Sequence, residues 1–211
     1  MVPYGITESF AGDRDASTRN GPLRVLFVGA VGLRKGVQYL MQAAKLLRGQ
    51  NVRFRIVGPL RMADRAAGEL RRWAEVVGPV PRSAIARQYE WADVFVFPSL
   101  CEGSANVCYE ALASGLPVIT TPNAGSVVRD GVEGYIVPIR CPELLAERIM
   151  MLVSNRDLLG ELSQNAVHRA HEYSWEHYSQ RLLSVVATSV SPKKNGVPGP
   201  SEAVVPSHRQ L

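Results

Sequence analysis

The stretch from Pro98 to Thr121, PSLCEGSANVCYEALASGLPVITT, constrains the fold more than any other part of the chain. Four apolar residues precede it, Val94 to Phe97, β-branched and aromatic in alternation, as in a buried strand. Pro98 stops that run. A short loop with Glu102, Gly103 and Ser104 follows. From about Ser104 the spacing of Val107, Ala111 and Leu112 predicts a helix with one apolar face. Gly115 stands where a helix ends in a left-handed residue, with Pro117 just past it. Val118-Ile119 then begins another strand. A strand, loop, helix, strand unit belongs to an open parallel sheet, and such sheets bind ligands beyond the carboxyl ends of their strands. The helix N-terminus after the loop carries unpaired N–H groups and a partial positive charge, a setting that suits phosphate.

Two glutamates frame this unit. Glu102 lies in the loop and Glu110 in the second turn of the predicted helix, eight positions on. A phosphate at the helix end would have a carboxylate on either side. Carboxylates accept two hydrogen bonds from a vicinal diol, as sugars present. The plain alternative is that Glu102 caps the helix and Glu110 is a solvated helix residue, and spacing alone does not separate the two.

A similar unit opens the domain. Leu23 to Gly29 (LRVLFVG) is the expected first strand, followed by a loop from Ala30 to Lys35. A helix is expected from about Gly36 to Arg48, with Val37, Leu40, Ala44 and Leu47 at helical spacing. Strand, glycine-bearing loop and helix again form a phosphate-binding layout. Gly29, Gly32 and Gly36 do not spell the dinucleotide fingerprint, so NAD is not expected. Arg34 and Lys35 sit at a helix N-terminus, where a cation opposes the helix dipole. Their placement makes more sense with an anion present than as solvated residues.

Val52 to Gly58 alternates as the next strand. Asp64 to Val77 reads as one amphipathic helix whose Arg65, Arg71 and Arg72 form a basic face, solvated or in contact with anionic lipid. A turn at Gly78 to Pro81 leads into a short helix from Ser83 to Trp91. The last short strand is expected at Tyr135 to Val137, and helices at Pro142 to Ser154, Arg156 to His171, and from Tyr173 with Ser174 as N-cap. His168 and His171, three apart with no partner evident, read as surface histidines.

Composition narrows the class. In 211 residues there is room for one sizeable core, and 46% hydrophobic with 20% charged residues is ordinary for a globular domain. The net charge of +5 fits a small anionic ligand and does not demand nucleic acid. Cys101, Cys108 and Cys141 are an odd count without metal spacing, as for reduced thiols in a cytoplasmic protein. No run is long enough for a membrane span, and nothing before the first strand resembles a targeting segment. The expected location is cytoplasmic, with at most peripheral contact at the inner face of a membrane. Residues 188–211 are rich in Pro, Ser and Gly without periodicity and read as a disordered tail.

The segment CEGSANVCYEALASGLPVITTPNAGSVVRDGVEGYIVP resembles the donor-binding signature of family 4 glycosyltransferases, which have the GT-B fold. The resemblance runs from about Pro3 to about Leu183 and rests on several blocks in order. They are VPYGIT, Lys35-Gly36, Ala92-Asp93-Val94 to Pro98-Ser99, the two glutamates with seven residues between them, and Gly134 to Pro138. It implies an α/β fold: a single doubly wound Rossmann-like domain at 23–187, the C-terminal half of a GT-B enzyme, after a linker remnant at 1–22. It implies transfer of a sugar from a nucleotide diphosphate donor to an acceptor hydroxyl, with retention of configuration and no metal cofactor. By the same resemblance Lys35 contacts the diphosphate, with Arg34 as a second cation. Glu102 orients the donor sugar, Glu110 holds the ribose, and the backbone of Gly103, Ser104, Ala105 and Asn106 meets sugar and phosphates. Val80 and Arg82 flank the base. Glu102 and Lys35 are the expected catalytic pair.

The chain departs from the family pattern at Thr7 and at Ala30, where Asp and Arg are usual, and at Ser104-Ala105, where Phe-Gly is commonest. Asp13-Arg14-Asp15 spells the metal motif of the other large glycosyltransferase class. It lies in a polar loop before the first strand, so no metal is assigned to it. The expected partners are the nucleotide-sugar donor and an acceptor-binding domain or chain. The alternatives are a remnant that binds a nucleotide sugar and catalyses nothing, or a subunit completed in trans by a separate acceptor-binding chain.

Overall fold

All four residues of Val94–Phe97 are buried, as in a parallel sheet covered on both faces. The computed structural model describes residues 21–190. Its six strands are β1 (Leu23–Val28), β2 (Val52–Val57), β3 (Glu75–Gly78), β4 (Val94–Phe97), β5 (Val118–Thr120) and β6 (Gly134–Ile136). Every pairing is parallel, in the order β3-β2-β1-β4-β5-β6. Successive crossovers run outward from β1 in one direction and outward from β4 in the other. The right-handed crossover rule therefore places α1 (Val37–Leu46) and α4 (Asn106–Ala113) on opposite faces. Two later helices complete the layers: α5 (Pro142–Ser154) packs on α1, and α6 (Arg156–His171) packs on α4. This is the doubly wound α/β fold expected from the sequence.

The core is continuous through the sheet. Phe27 and Phe97 stack with ring centroids 5.7 Å apart, and Phe95 stacks on Phe97 at 6.0 Å. Gly115 closes α4 as predicted, at φ +67°. The Gly115 amide bonds the Leu112 carbonyl and the Leu116 amide reaches back to Ala111, a Schellman closure. Glu133 is fully buried and accepts bonds from the Arg129 backbone N–H (2.8 Å) and Nε (2.7 Å), so it fastens the turn before β6.

One element differs from its expectation. The helix expected over Asp64 to Val77 is α2 (Asp64–Leu70), a turn, and then β3. Val76 and Val77 favour a strand, and pairing with β2 through Arg55↔Glu75 and Ile56↔Val76 decides the outcome. As an edge strand with Glu75 and Val77 exposed, β3 shows an alternation that blends with helical spacing. Arg71 and Arg72 lie beyond α2, so the three arginines share no helix face. The remaining elements are α3 (Arg82–Trp91) and α7 (Trp175–Val190), the latter with the Ser174 hydroxyl accepting the His177 N–H. The expected tail begins too early, since residues 188–190 belong to α7; the rest of it, nearly all of the linker and Asp13-Arg14-Asp15 fall outside the described residues, over 1–20 and 191–211. Among the described residues no helix is long and apolar enough to cross a membrane.

Candidate functional site

The strand order reverses between β1 and β4, and the loops that follow these two strands meet at their carboxyl ends. The loop after β1 is a 3-10 turn, Leu33–Lys35, closed by Gly36 in the left-handed conformation. The loop after β4 runs along it. The Leu100 amide bonds the Arg34 carbonyl at 2.9 Å, and Arg34 Nη1 donates to the Cys101 carbonyl at 3.0 Å. Gly36 permits this approach, because a Cβ there would lie 1.8 Å from the Pro98 carbonyl oxygen.

These backbone contacts bring Lys35, Arg34 and Glu102 together. Lys35 Nζ is 2.5 Å and Arg34 Nη1 is 2.9 Å from Glu102 Oε1. The Ser99 hydroxyl lies 3.1 Å from the same oxygen and from the Arg34 carbonyl. The Lys35 ammonium also sits 5.3 Å from the Phe97 ring centroid, over its face. Glu102 and Lys35 side chains are 10% and 17% exposed, whereas Arg34 is 61% exposed, so Lys35 forms the tighter pair. Burial pushes the Glu102 carboxyl up, but Lys35, Ser99 and Arg34 together outweigh it and hold the group below its ordinary value. All three contacts fall on Oε1. Among the described residues Oε2 has no hydrogen bond, and Glu102 does not cap α4.

Glu110 is arranged the same way in a different field. Its Oε2 accepts a 2.8 Å hydrogen bond from the hydroxyl of Tyr89, a fully buried residue of α3. Burial raises the Glu110 pKa, and the Tyr89 hydrogen bond and the charge of Arg82 offset only part of that rise. Each glutamate thus has one oxygen held by the protein and one without a hydrogen bond among the described residues. Glu110 is half-buried and hydrogen-bonded rather than a solvated helix residue.

Neither α1 nor α4 has a side-chain cap at its N-terminus, so both leave first-turn N–H groups for an anion. Ala105, Gly103, Ser104 and Asn106 form the approach to α4, and the Ser104 hydroxyl bonds Tyr109 Oη at 3.2 Å. Val80 and Arg82 stand at the start of α3, and Arg82 is close enough for its charge to reach Glu110.

Sequence reasoning missed Ser99 and Tyr89, the residues that hold the two glutamates. Ser99 shows in the sequence only as part of a strand-end pattern. Tyr89 is the one buried residue of α3 and carries a hydroxyl, and that polar atom on a helix of otherwise exposed and half-buried residues was the available signal. Cys108 is fully buried, and burial pushes its thiol up to about 12, which makes it inert. Among the described residues no group of three or more His, Cys, Asp or Glu is placed to hold a metal ion.

The family model described as glycosyl transferases group 1 matches residues 22–155, more than half of the chain. The chain belongs to that family. The D-inositol 3-phosphate glycosyltransferase of Nocardia farcinica is 32% identical over 206 residues, covering 87% of this chain and 46% of that protein. The chain spans about half the length of the curated relatives it matches. Among solved structures, the C-terminal domain of a group 1 glycosyl transferase (LpcC) from Francisella tularensis superposes with a TM-score of 0.71 at 21% identity, covering 81% of this chain and 99% of that one. A TarM variant of S. aureus, solved with UDP among its ligands, gives 0.75 at 20% identity, covering 86% and 38%. Both share the fold of this group 1 glycosyl transferase chain.

Proposed function

We propose that the chain is the donor-binding half of a glycosyl transferase that takes a nucleotide diphosphate sugar and passes the sugar to an acceptor hydroxyl with retention of configuration. The observation that carries this reading is the meeting of Lys35 and Glu102 at the switch point, beside two uncapped helix N-termini and with Glu110 held nearby. In the reaction the bond from the sugar's anomeric carbon to the diphosphate oxygen breaks, a bond from that carbon to the acceptor oxygen forms, the acceptor's proton passes to the departing diphosphate, and the leaving nucleoside diphosphate gains negative charge. Lys35, Arg34 and the N–H groups at Ser104 and Asn106 stabilise that charge without a metal, the Ala105 N–H being bonded to the Ala124 carbonyl. Arg34 supplies the cation that the Ala30 position lacks. Glu102, kept ionised, turns Oε2 to the donor sugar hydroxyls, and Glu110 takes the ribose diol. The solved TarM relative that holds UDP supports the nucleotide part of this reading.

The acceptor-binding half comes from other residues of a longer protein or from a separate chain. Apolar side chains on α7 favour that over a remnant acting alone: Trp175, Leu182, Leu183 and Val186 are 41–68% exposed. Together they make a surface suited to covering by protein.

Isothermal titration with UDP and GDP tests the reading. One of the two is expected to bind. Lys35→Ala should weaken it roughly tenfold, about 1.5 kcal/mol, the size of a lost charge-assisted bond with Arg34 left in place. Absence of binding by a well-folded chain, or an unchanged affinity in the variant, would sink the assignment.

A further inference from the structure

We infer that Tyr89 is a positioning residue for ribose recognition, and that through it the site selects ribonucleoside over deoxyribonucleoside diphosphates. The inference rests on the proposed donor site and extends it to a residue that never touches the nucleotide. Tyr89 is fully buried, and its hydroxyl donates to Glu110 Oε2 at 2.8 Å. A carboxylate held at one oxygen loses that bond if it swings about its last bond. The other oxygen, and the spare lone pair of the first, then face a fixed direction, and a vicinal diol needs both of its hydroxyls met at once.

The helix that carries Tyr89 also starts at the base-flanking loop. Arg82 opens α3 and Tyr89 lies seven residues on, two turns along the same rod. One rigid element therefore sets the distance between the base loop and the ribose carboxylate. Without the phenol, Glu110 keeps its burial and loses a bond that stabilises its ionised form. It would turn toward Arg82 or take a proton, and either change spoils a two-bond acceptor. Among the described residues, Tyr89 and Arg82 of α3 are the titratable groups whose influence on Glu110 is resolved.

The test compares UDP (or GDP, whichever binds) with its 2′-deoxy and 2′,3′-dideoxy analogues by titration calorimetry. The wild-type chain should prefer the ribonucleotide by roughly tenfold or more, the size of one or two hydrogen bonds to a charged group. Tyr89→Phe should cut that preference several-fold. Loss of folded protein alone would weaken all ligands equally and leave the ratio intact, so the ratio separates positioning from stability. If Tyr89→Phe does not fold, 3,5-difluorotyrosine installed at position 89 keeps the shape and strengthens the donor. Ribonucleotide affinity should then persist to lower pH than in wild type.

An unchanged ratio in Tyr89→Phe, or an unmoved pH midpoint with the fluorinated residue, overturns the inference while leaving the donor site standing. A wild-type chain that binds ribo- and deoxyribonucleotides alike also overturns it. A wild-type chain that binds neither UDP nor GDP overturns the donor site and this inference together.

Discussion

Gly36→Ala is expected to lower the melting temperature by on the order of 10 °C and to abolish nucleotide binding at temperatures where the wild type binds. Gly36 links the 3-10 turn to α1 at φ +73°, a conformation that costs an alanine about 1 kcal/mol. The larger cost is steric. The new Cβ would lie 1.8 Å from the Pro98 carbonyl oxygen and 2.6 Å from its carbon, both backbone atoms that no rotamer change moves. The β1 and β4 loops must separate, and with them the Leu100–Arg34 backbone bond and the Lys35–Glu102 pair. Together these place the substitution at about 4 kcal/mol or more, among the exceptional single changes. At about 2–4 °C per kcal/mol for a domain of this size, that gives the expected shift. Gly49→Ala is the control. Gly49 has φ +82° with open space around it, so it carries the conformational cost alone. Equal melting temperatures for the two variants, measured by circular dichroism, would show that the two loops do not touch as described.

Much of this fold was legible because its strands are short, apolar and sharply punctuated. Val94–Phe97 sits between Asp93 and Pro98, and Gly115 with Pro117 closes α4, so local chemistry and sheet position agree. The bounds expected for α5 and α6 are those found, since Pro142 starts one and Asn155 caps the other with a 3.0 Å bond from the Leu158 N–H. β3 was hidden for the opposite reason. Its pairing partner is in β2, about twenty residues earlier, and an edge strand that buries little leaves only Val76-Val77 as a local trace.

The site divided along the same line. Charged residues at loop ends announce themselves, so Lys35, Arg34 and Glu102 stand out in the sequence, and Glu110 does so by its spacing from Glu102. Their holders were not, because Ser99 and Tyr89 act through contacts that only folding creates. Tyr89 and Glu110 are 21 positions apart, on separate helices.

Glu110→Gln should separate binding from stability. Burial raises the Glu110 pKa above its unfolded value, so the stability this residue contributes is fully present below the unfolded pKa. It is lost as pH rises through the folded pKa. At neutral pH the wild-type chain therefore holds a half-buried charge at a net cost. Glutamine has nearly the same shape, stays neutral, and keeps an amide oxygen to accept the Tyr89 hydrogen bond. The variant should melt at or above the wild-type temperature at pH 7, with the difference closing as the pH falls below the ordinary carboxylate range. Its nucleotide affinity should move the other way. The amide presents an N–H group where the ribose diol needs an acceptor, and two charge-assisted bonds weaken together. A loss of about 3 kcal/mol, on the order of 100-fold in Kd, follows. Wild-type affinity should itself fall on acidification through a midpoint above the ordinary glutamate value, while the variant's residual affinity lacks that step. A residue that raises stability when removed and lowers binding is held in place for its ligand. If Glu110→Gln instead lowers the melting temperature and leaves nucleotide affinity intact, Glu110 serves the packing of α3 against α4 and the ribose assignment fails.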